Sequence, residues 1–208
     1  RSCLARGLGD VYKRQGQRDE KYLLSGIVEL DDGYVGGPSH NGKRGRGTDK
    51  AKIVVAVSKT ANSAPLFARM KVVDNVQGKT LQEIIDQHFV PKTKVECDGY
   101  KSYLNLEGVE LNAKKYETDD LHWVHKAISN LKAFLQGTYH GRCTKLQAYL
   151  DEYCFRFNRR MTGNQIFLRL TRAVATSCSV LIKSISIFDI ALKGIDDAIT
   201  AIDRITDN

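Results

Sequence analysis

The sequence predicts an α/β fold in which a mixed central sheet is flanked by helices and followed by a helical C-terminal tail. Three observations indicate this fold class. Residues 53–58 (IVVAVS) form a continuous apolar run, which is typical of a strand that is covered on both faces. Apolar residues recur at helical spacing in residues 78–89 and again after residue 121. Clusters of Pro, Gly and Asp separate these segments, as turns do.

The strands follow from the apolar runs and the turn signals between them. Asp31-Asp32-Gly33 predicts a turn directly after the first strand, and Asp98 closes the fourth. A short turn at residues 59–64 predicts that the second and third strands pair antiparallel. The predicted strands are residues 22–30, 53–58, 65–73 and 93–97.

The helices follow from apolar stripes. Asp119 or Asp120 is the expected N-cap of the second helix, whose polar stripe contains His125, Ser129, Lys132 and Gln136. The turn-like string GTYHG (137–141) is expected to end that helix. The predicted helices are residues 78–89, from 121 to this turn, 144–157 and 165–175, with an amphipathic tail helix over 195–205.

The order of three strands, a helix and another strand is typical of the start of an RNase H-like fold. In such an order Asp31 and Asp98 come at the ends of the first and fourth strands. Carboxylates at the ends of neighbouring strands, joined by a ligand from a later helix, can hold divalent metal beside a phosphate. The pattern therefore predicts metal-dependent chemistry on nucleic acid.

Composition agrees with a polyanionic partner. The 208 residues include 32 basic and 24 acidic side chains, which gives a net charge of +8 and a pI of about 9.2. Five scattered cysteines form no CxxC pair, so neither a disulfide framework nor a zinc site is indicated, and a reducing cytoplasm is expected. No apolar run is long enough for a membrane span, and no signal peptide is visible.

The first residues are expected to be foreign to the protein. The chain starts at Arg1, and residues 6–15 (RGLGDVYKRQ) resemble a translated sequencing adapter, although a natural basic arm is the alternative. We therefore expect an N-terminally truncated chain with three parts. They are a non-native segment over residues 1–15, a catalytic domain over 16–177 and a helical tail over 178–208.

Several strings, in their order and spacing, resemble a known family. They are VELDDGYVGG, GKRGRG, VECDGYKSY and GTYHG followed by LQAYLDEYCFRFNRR. The chain is similar in these segments to the ISXO-type DDE domain of bacterial and archaeal transposases, insertion-sequence family fifteen-ninety-five. The resemblance covers roughly residues 26–177. It implies an RNase H-like fold and the cutting and joining of transposon ends with two divalent metal ions, Mg²⁺ or Mn²⁺.

The resemblance also implies roles for individual residues. Asp31 and Asp98 match the first two catalytic aspartates and would hold the metal ions, with Asp32 replacing Asp31 if the strand shifts by one residue. The family commonly has Glu at the third position and Lys seven residues later. An ungapped match places His125 and Lys132 there, whereas a gapped match makes Asn130 the third ligand. We favour His125, because it shares the polar stripe with Lys132.

Basic and aromatic side chains around these residues are the expected DNA contacts. The candidates are Lys43, Arg44, Arg46, Lys132, Tyr139, His140, Arg159 and Arg160. The expected partner is double-stranded DNA, both transposon terminal inverted repeats and target DNA, bound by a homo-oligomer in the prokaryotic cytoplasm at the nucleoid, with no membrane partner. Two alternatives stay open, a metal-dependent nuclease of the same fold and an inactive relic that binds DNA. The zinc ribbon common in the family has no counterpart in these cysteines.

Overall fold

The fold was analysed in a computed structural model, which describes residues 19–20, 22–36, 48–114, 121–140, 144–163, 165 and 168. The chain divides into two compact units, residues 1–161 and 162–208. The first unit contains the sheet and helices discussed below. Of the second, the structure describes only residues 162, 163, 165 and 168.

A five-stranded mixed sheet forms the centre of the first unit, in the order β3-β2-β1-β4-β5. β1 pairs antiparallel with β2, and β2 with β3, while β4 runs parallel to both β1 and β5. This topology confirms the predicted RNase H-like fold, including the antiparallel pairing of the second and third strands. The strands are β1 (Ile27–Val35), β2 (Ala51–Lys59), β3 (Pro65–Val73), β4 (Lys94–Asp98) and β5 (Glu110–Lys114).

The bounds of β1 correct the sequence prediction. Asp31-Asp32-Gly33 was expected to form a turn, but this prediction was wrong, since β1 continues through these residues to Val35. Each of them pairs with a residue of β2, and Gly33 lies opposite Ile53. A helix packs closely over this point of the strand, since a Cβ on Gly33 would lie 3.4 Å from Ile128 Cδ1.

One face of the sheet packs against helix α1 (Gly78–His88), which ends one residue earlier than predicted. The core on this side combines alternate residues of the strands with the apolar stripe of α1. Leu30 and Cys97 belong to it, together with Tyr103 from the segment after β4. α1 also supplies Leu81, Ile84 and Ile85.

The opposite face packs against α2 (His122–Tyr139) and α3 (Leu146–Asn158), which is followed by a 3-10 turn at Arg160–Thr162. The predicted apolar stripe of α2 is confirmed, because Val124, Ile128, Leu131 and Leu135 are all buried. Val55 and Val57 of β2 lie beneath it. Both helices thus cover the sheet face to which odd-numbered β1 residues point.

The expected N-cap of α2 was wrong, whereas the helix does end within the GTYHG string as predicted. The N-cap is Leu121 rather than Asp119 or Asp120, and its side chain makes no capping bond. At the other end the helix continues through the GTYHG string to Tyr139, and His140 ends it in the left-handed conformation. The short strand β5 was not predicted at all.

The outer edge of β3 is occupied by side chains of α3. Asn158 Oδ1 accepts from the Ala68 N–H at 2.7 Å, and its Nδ2 donates to the Ala68 carbonyl at 3.1 Å. Gln147 accepts from the Val72 N–H at 2.9 Å and donates to the Met70 carbonyl at 3.2 Å. Two amide groups therefore take the places of backbone groups on a neighbouring strand.

Several predictions lie outside the described residues. They concern the helices at 165–175 and 195–205, the basic string at 41–46 and the domain boundaries at residues 15 and 177, all of which stay predictions. Cys97 and Cys154 are buried and free. Within the part of the chain that the structure describes, no helix is both long enough and apolar enough to span a membrane.

Candidate active site

Strand pairing brings Asp31 and Asp98 to the same place on the sheet. Leu30 pairs with Cys97 in the parallel β1–β4 ladder, and the two aspartates are the next residues on their strands. Because side chains alternate along a strand, both carboxylates point away from Leu30 and Cys97, towards the side of the sheet that α2 covers. Two carboxylates thus stand on neighbouring strands at one level.

α2 adds an imidazole to this level. His125 Nε2 lies 3.3 Å from Asp31 Oδ2, and the two side chains are 35% and 16% exposed. The contact is therefore partly open to solvent. His125 belongs to the first turn and a half of α2, where the helix passes directly over β1. Sequence position alone places these residues 94 apart, so only the fold explains the contact.

The environment of Asp31 disfavours its charge. Burial raises the pKa of Asp31 from an ordinary 3.8 to about 6. The Asp32 backbone N–H, which donates to Asp31 Oδ1 at 2.8 Å, opposes this rise. The charges of Asp32 and Asp98 add to it, and His125 lowers it. Burial and the neighbouring carboxylates thus both disfavour the negative charge of Asp31.

Asp32 points to the other face of the sheet. Its Oδ1 accepts from the hydroxyl of Tyr103 at 3.2 Å, and Tyr103 is fully buried in the core on the α1 side. Burial, followed by the charge of Asp32, raises the pKa of Tyr103 far above its usual value, so the hydroxyl stays protonated and donates. The strand is not shifted in the way that would put Asp32 in the place of Asp31.

Asp98 is held by its own turn. Its Oδ1 accepts from the Tyr100 N–H at 3.2 Å, directly after β4 ends. Burial, with the charges of Asp98 and Asp31, raises the pKa of the neighbouring Cys97 thiol to about 11. Among residues 19–163, with the gaps given above, no three His, Cys, Asp or Glu side chains converge as a metal-binding group.

The two candidates for the third position, His125 and Asn130, have different surroundings in the structure. Asn130 is exposed, and its side chain lies near the hydroxyl of Tyr153 of α3. It lies five residues, about 140°, from His125 around α2. The contact with Asp31 is made by His125, as the ungapped match expects, while the role of either residue as a ligand stays a prediction.

A family model described as the ISXO2-like transposase domain matches residues 23–158, which is more than half of the chain. The chain belongs to this family. No curated protein matches it. The match contains all of β1 to α3, and with them Asp31, Asp98 and His125. The predicted family is confirmed, and the region beyond residue 158 has no match in it.

Two solved structures are weakly similar to this transposase domain. One is "Mos1 transposase paired-end complex with left transposon end", at 11% identity and a TM-score of 0.32. The other is "Crystal structure of a pre-cleavage Mos1 transpososome", at 12% identity and a TM-score of 0.30. Each likeness covers 80% of this chain, and the chain spans only 60% of the length of each Mos1 chain.

Lys132 lies further along α2 than His125. It is exposed and lines an open cleft of about 340 Å³ together with Lys50 and Gln136 of the transposase domain. Tyr34, Val35, Gly36 and Leu135 form the rest of the cleft. Two lysines in one cleft suit a phosphate group. That Lys132 contacts DNA stays a prediction.

The remaining DNA candidates have different surroundings. Tyr139 donates its hydroxyl to Glu152 and stacks on Tyr149 with the ring centroids 3.8 Å apart, so this part of the side chain packs between α2 and α3. Arg159 is 8% exposed and its Nη2 lies 2.7 Å from Asp19 Oδ1. His140 and Arg160 are exposed, whereas Lys43, Arg44 and Arg46 lie outside the described residues.

Two residues of the site were missed by sequence reasoning. Tyr103 carries the hydrogen bond to Asp32, and Glu29 accepts bonds from the start of α2. Glu29 had one local signal: it is a charged residue in the run GIVELD, between Val28 and Leu30, which are buried. A charge in the middle of a buried strand indicates a specific partner.

Proposed function

We propose that this chain is the catalytic domain of a DNA transposase that cuts and joins DNA at insertion-sequence ends, using divalent metal ions. The observation that carries the proposal is the contact of Asp31 with His125 on the sheet face and level where Asp98 also stands. Membership of the transposase family supports it, and so does the net charge of +8.

The residues present suit Mg²⁺ or Mn²⁺. Carboxylate oxygens are the ligands these ions prefer, and Asp31 and Asp98 supply them from adjacent strands. Burial and the neighbouring carboxylates raise the pKa of Asp31. A bound cation would stabilise the charged form of this carboxyl. Asp31 and Asp98 would hold the ions, and His125 would complete the set. Imidazole nitrogen favours Mn²⁺ over Mg²⁺.

The side chains of the site have separate tasks. Bound divalent ions would supply Lewis-acid activation of the attacking and leaving oxygens of a phosphodiester. Asp31 and Asp98 would hold and orient them, while Lys132 and Lys50 would bind the DNA backbone in the cleft further along α2. Arg44, Arg46 and Lys43 would extend that contact, and binding by a homo-oligomer on DNA is part of the proposal.

The test is a strand-joining assay with Mn²⁺, a labelled duplex bearing a free 3′-hydroxyl and supercoiled plasmid. Asp31→Asn should lower joining to the level of the protein-free control and leave DNA binding intact. The matched control is Asp32→Asn, which removes the neighbouring carboxylate on the other face and should keep most of the activity. Equal loss in the two variants would contradict the role given to Asp31.

The same assay separates the alternatives. Joining of the labelled duplex to plasmid identifies a transposase, whereas nicking without joining identifies a nuclease of the same fold. DNA binding that is unaffected by Asp31→Asn, with neither reaction at any Mn²⁺ concentration, identifies a DNA-binding relic. Either of the last two results would overturn the proposal.

A further inference from the structure

Glu29 is a buried carboxylate for which the proposed chemistry has no use. It lies on β1 two residues before Asp31, and its side chain is 2% exposed. Residues two apart on a strand point to the same face, about 6.6 Å from each other. Glu29 is therefore one step from Asp31 along the same row, under the same helix.

The start of α2 binds to this carboxylate. Glu29 Oε2 accepts from the backbone N–H groups of Trp123 at 2.8 Å and Val124 at 3.0 Å. These are the second and third residues of α2, whose N–H groups have no partner within the helix. A local N-cap side chain usually binds them, but Leu121 makes no such bond. The cap of α2 thus comes from strand β1.

The charge of Glu29 is compensated on its other oxygen. Lys59 Nζ lies 3.2 Å from Glu29 Oε1 and 2.6 Å from Glu96 Oε2. The positive end of the helix dipole meets Oε2 in addition. A buried carboxylate with several partners is fixed in position, because leaving any of them unpaired is costly. Glu29 is consequently a rigid attachment point.

Two contacts in succession now define where α2 lies on β1. Glu29 binds Trp123 and Val124, and the next residue of the row, Asp31, meets His125. A slip of α2 by one residue would turn its side chains by about 100°. The imidazole would then leave Asp31.

We propose that Glu29 is a positioning residue that sets the register of α2 on β1 and so holds His125 beside Asp31. The inference rests on the proposed function, in which the contact of His125 with Asp31 belongs to the metal site. Glu29 touches neither metal nor DNA. It acts through the first turn of α2, and Lys59 compensates its charge.

The first readout needs neither metal nor DNA. The ¹⁵N resonances of the His125 ring should shift when Asp31→Asn is introduced into the wild-type protein. With Glu29→Ala already present, Asp31→Asn should leave them unchanged, because the ring is no longer beside Asp31. Glu29→Gln keeps an oxygen that accepts from both N–H groups and should restore the response. A wild-type response in Glu29→Ala would overturn the proposal.

The second readout is the apparent affinity for Mn²⁺, measured calorimetrically on the whole chain. Glu29→Ala should lower it about tenfold, the low end of the loss when a residue that orients a ligand is removed. In a His125→Ala background the same change should alter it less than twofold, because there is no imidazole left to position. A tenfold loss in both backgrounds would show a general effect on the fold and refute the positioning role.

Matched variants complete the design. Glu96→Gln changes the other carboxylate partner of Lys59 and leaves the bonds between Glu29 and α2 in place. The Mn²⁺ affinity of this variant should stay within twofold of wild type. If Glu29→Ala does not fold, Glu29→Asp keeps the charge but draws the cap back by one methylene, and it should show the same loss of coupling. A wild type that binds no Mn²⁺ would refute the proposed function, while the ring resonances would still test the register.

Discussion

Asp31 is expected to make the folded protein less stable. Its pKa in the fold, about 6, lies above the 3.8 of an unfolded chain, so the folded state binds the extra proton between these values. Stability is therefore lost as the pH rises from about 4 to about 6, and the loss persists above. Asp31→Asn removes this cost and still accepts from the Asp32 N–H.

We accordingly predict that Asp31→Asn raises the free energy of unfolding at pH 8 by about 1–3 kcal/mol, since one pKa unit corresponds to about 1.4 kcal/mol. The difference should vanish below about pH 4. Urea unfolding in EDTA at several pH values measures it. Addition of Mn²⁺ should stabilise the wild type more than the variant. A variant less stable than wild type at pH 8 would refute this interpretation of Asp31.

At the level of single elements, the side-chain amides that bind the outer edge of β3 are expected to contribute to the free energy of unfolding. Ala68 is buried, and Asn158 is the partner of both its N–H and its carbonyl. We predict that Asn158→Ala lowers the free energy of unfolding by about 1–3 kcal/mol, because a buried backbone group is left unpaired. The exchange of the Ala68 amide hydrogen should accelerate.

The control for this prediction is Gln87→Ala, which removes an exposed amide side chain from α1. It should change the free energy of unfolding by less than about 0.5 kcal/mol. Equal effects at the two positions would mean that the bonds of Asn158 to β3 contribute nothing beyond an ordinary surface amide.

Elements with strong local patterns were predictable from sequence, and those held by distant partners were not. Pro65–Val73 was predicted to the residue, since apolar and turn signals coincide there. β5 has no β-branched residue, and it is held by packing of Leu111 and Ala113 in the core on the α1 side. The end of α2 passes through Gly137 because Tyr139 is fixed by α3.

The site shows the same division. The strings predicted Asp31 and Asp98, and the ungapped match predicted His125; the structure brings His125 to Asp31, while the roles of all three stay predictions. The cap by Glu29 joins residues 94 apart, so no local N-cap pattern predicts it. For β1, the Asp-Asp-Gly string is a usual turn signal, and it is extended here because all three residues pair with β2.

At the scale of the whole molecule, the excess of positive charge predicts salt-sensitive binding of DNA. Replacing Lys43, Arg44 and Arg46 together by Ala should lower the slope of log affinity against log salt by up to about three, roughly 0.9 for each phosphate that the variant no longer neutralises. Titration of a fluorescent duplex at several salt concentrations measures the slope.

Lys94→Ala provides the comparison for this loop. Lys94 is exposed at the end of β4 remote from Asp98, and its replacement should leave the slope within error. A triple variant with the wild-type slope would mean that the loop is ordinary solvated surface. The family match says nothing about how many phosphates are bound, so the slope is the direct measure of that number.

The amide side chains along β3 bear on how copies of this protein meet. An open edge strand is a template on which another chain can add a strand, and crowding of many copies on one DNA would favour such growth. Ala68, Met70 and Val72 already exchange their hydrogen bonds with α3. The sheet therefore ends at β3 on this side, and copies gathered on DNA, as the proposed function expects, would have to recognise each other through side-chain surfaces rather than by merging sheets along this edge.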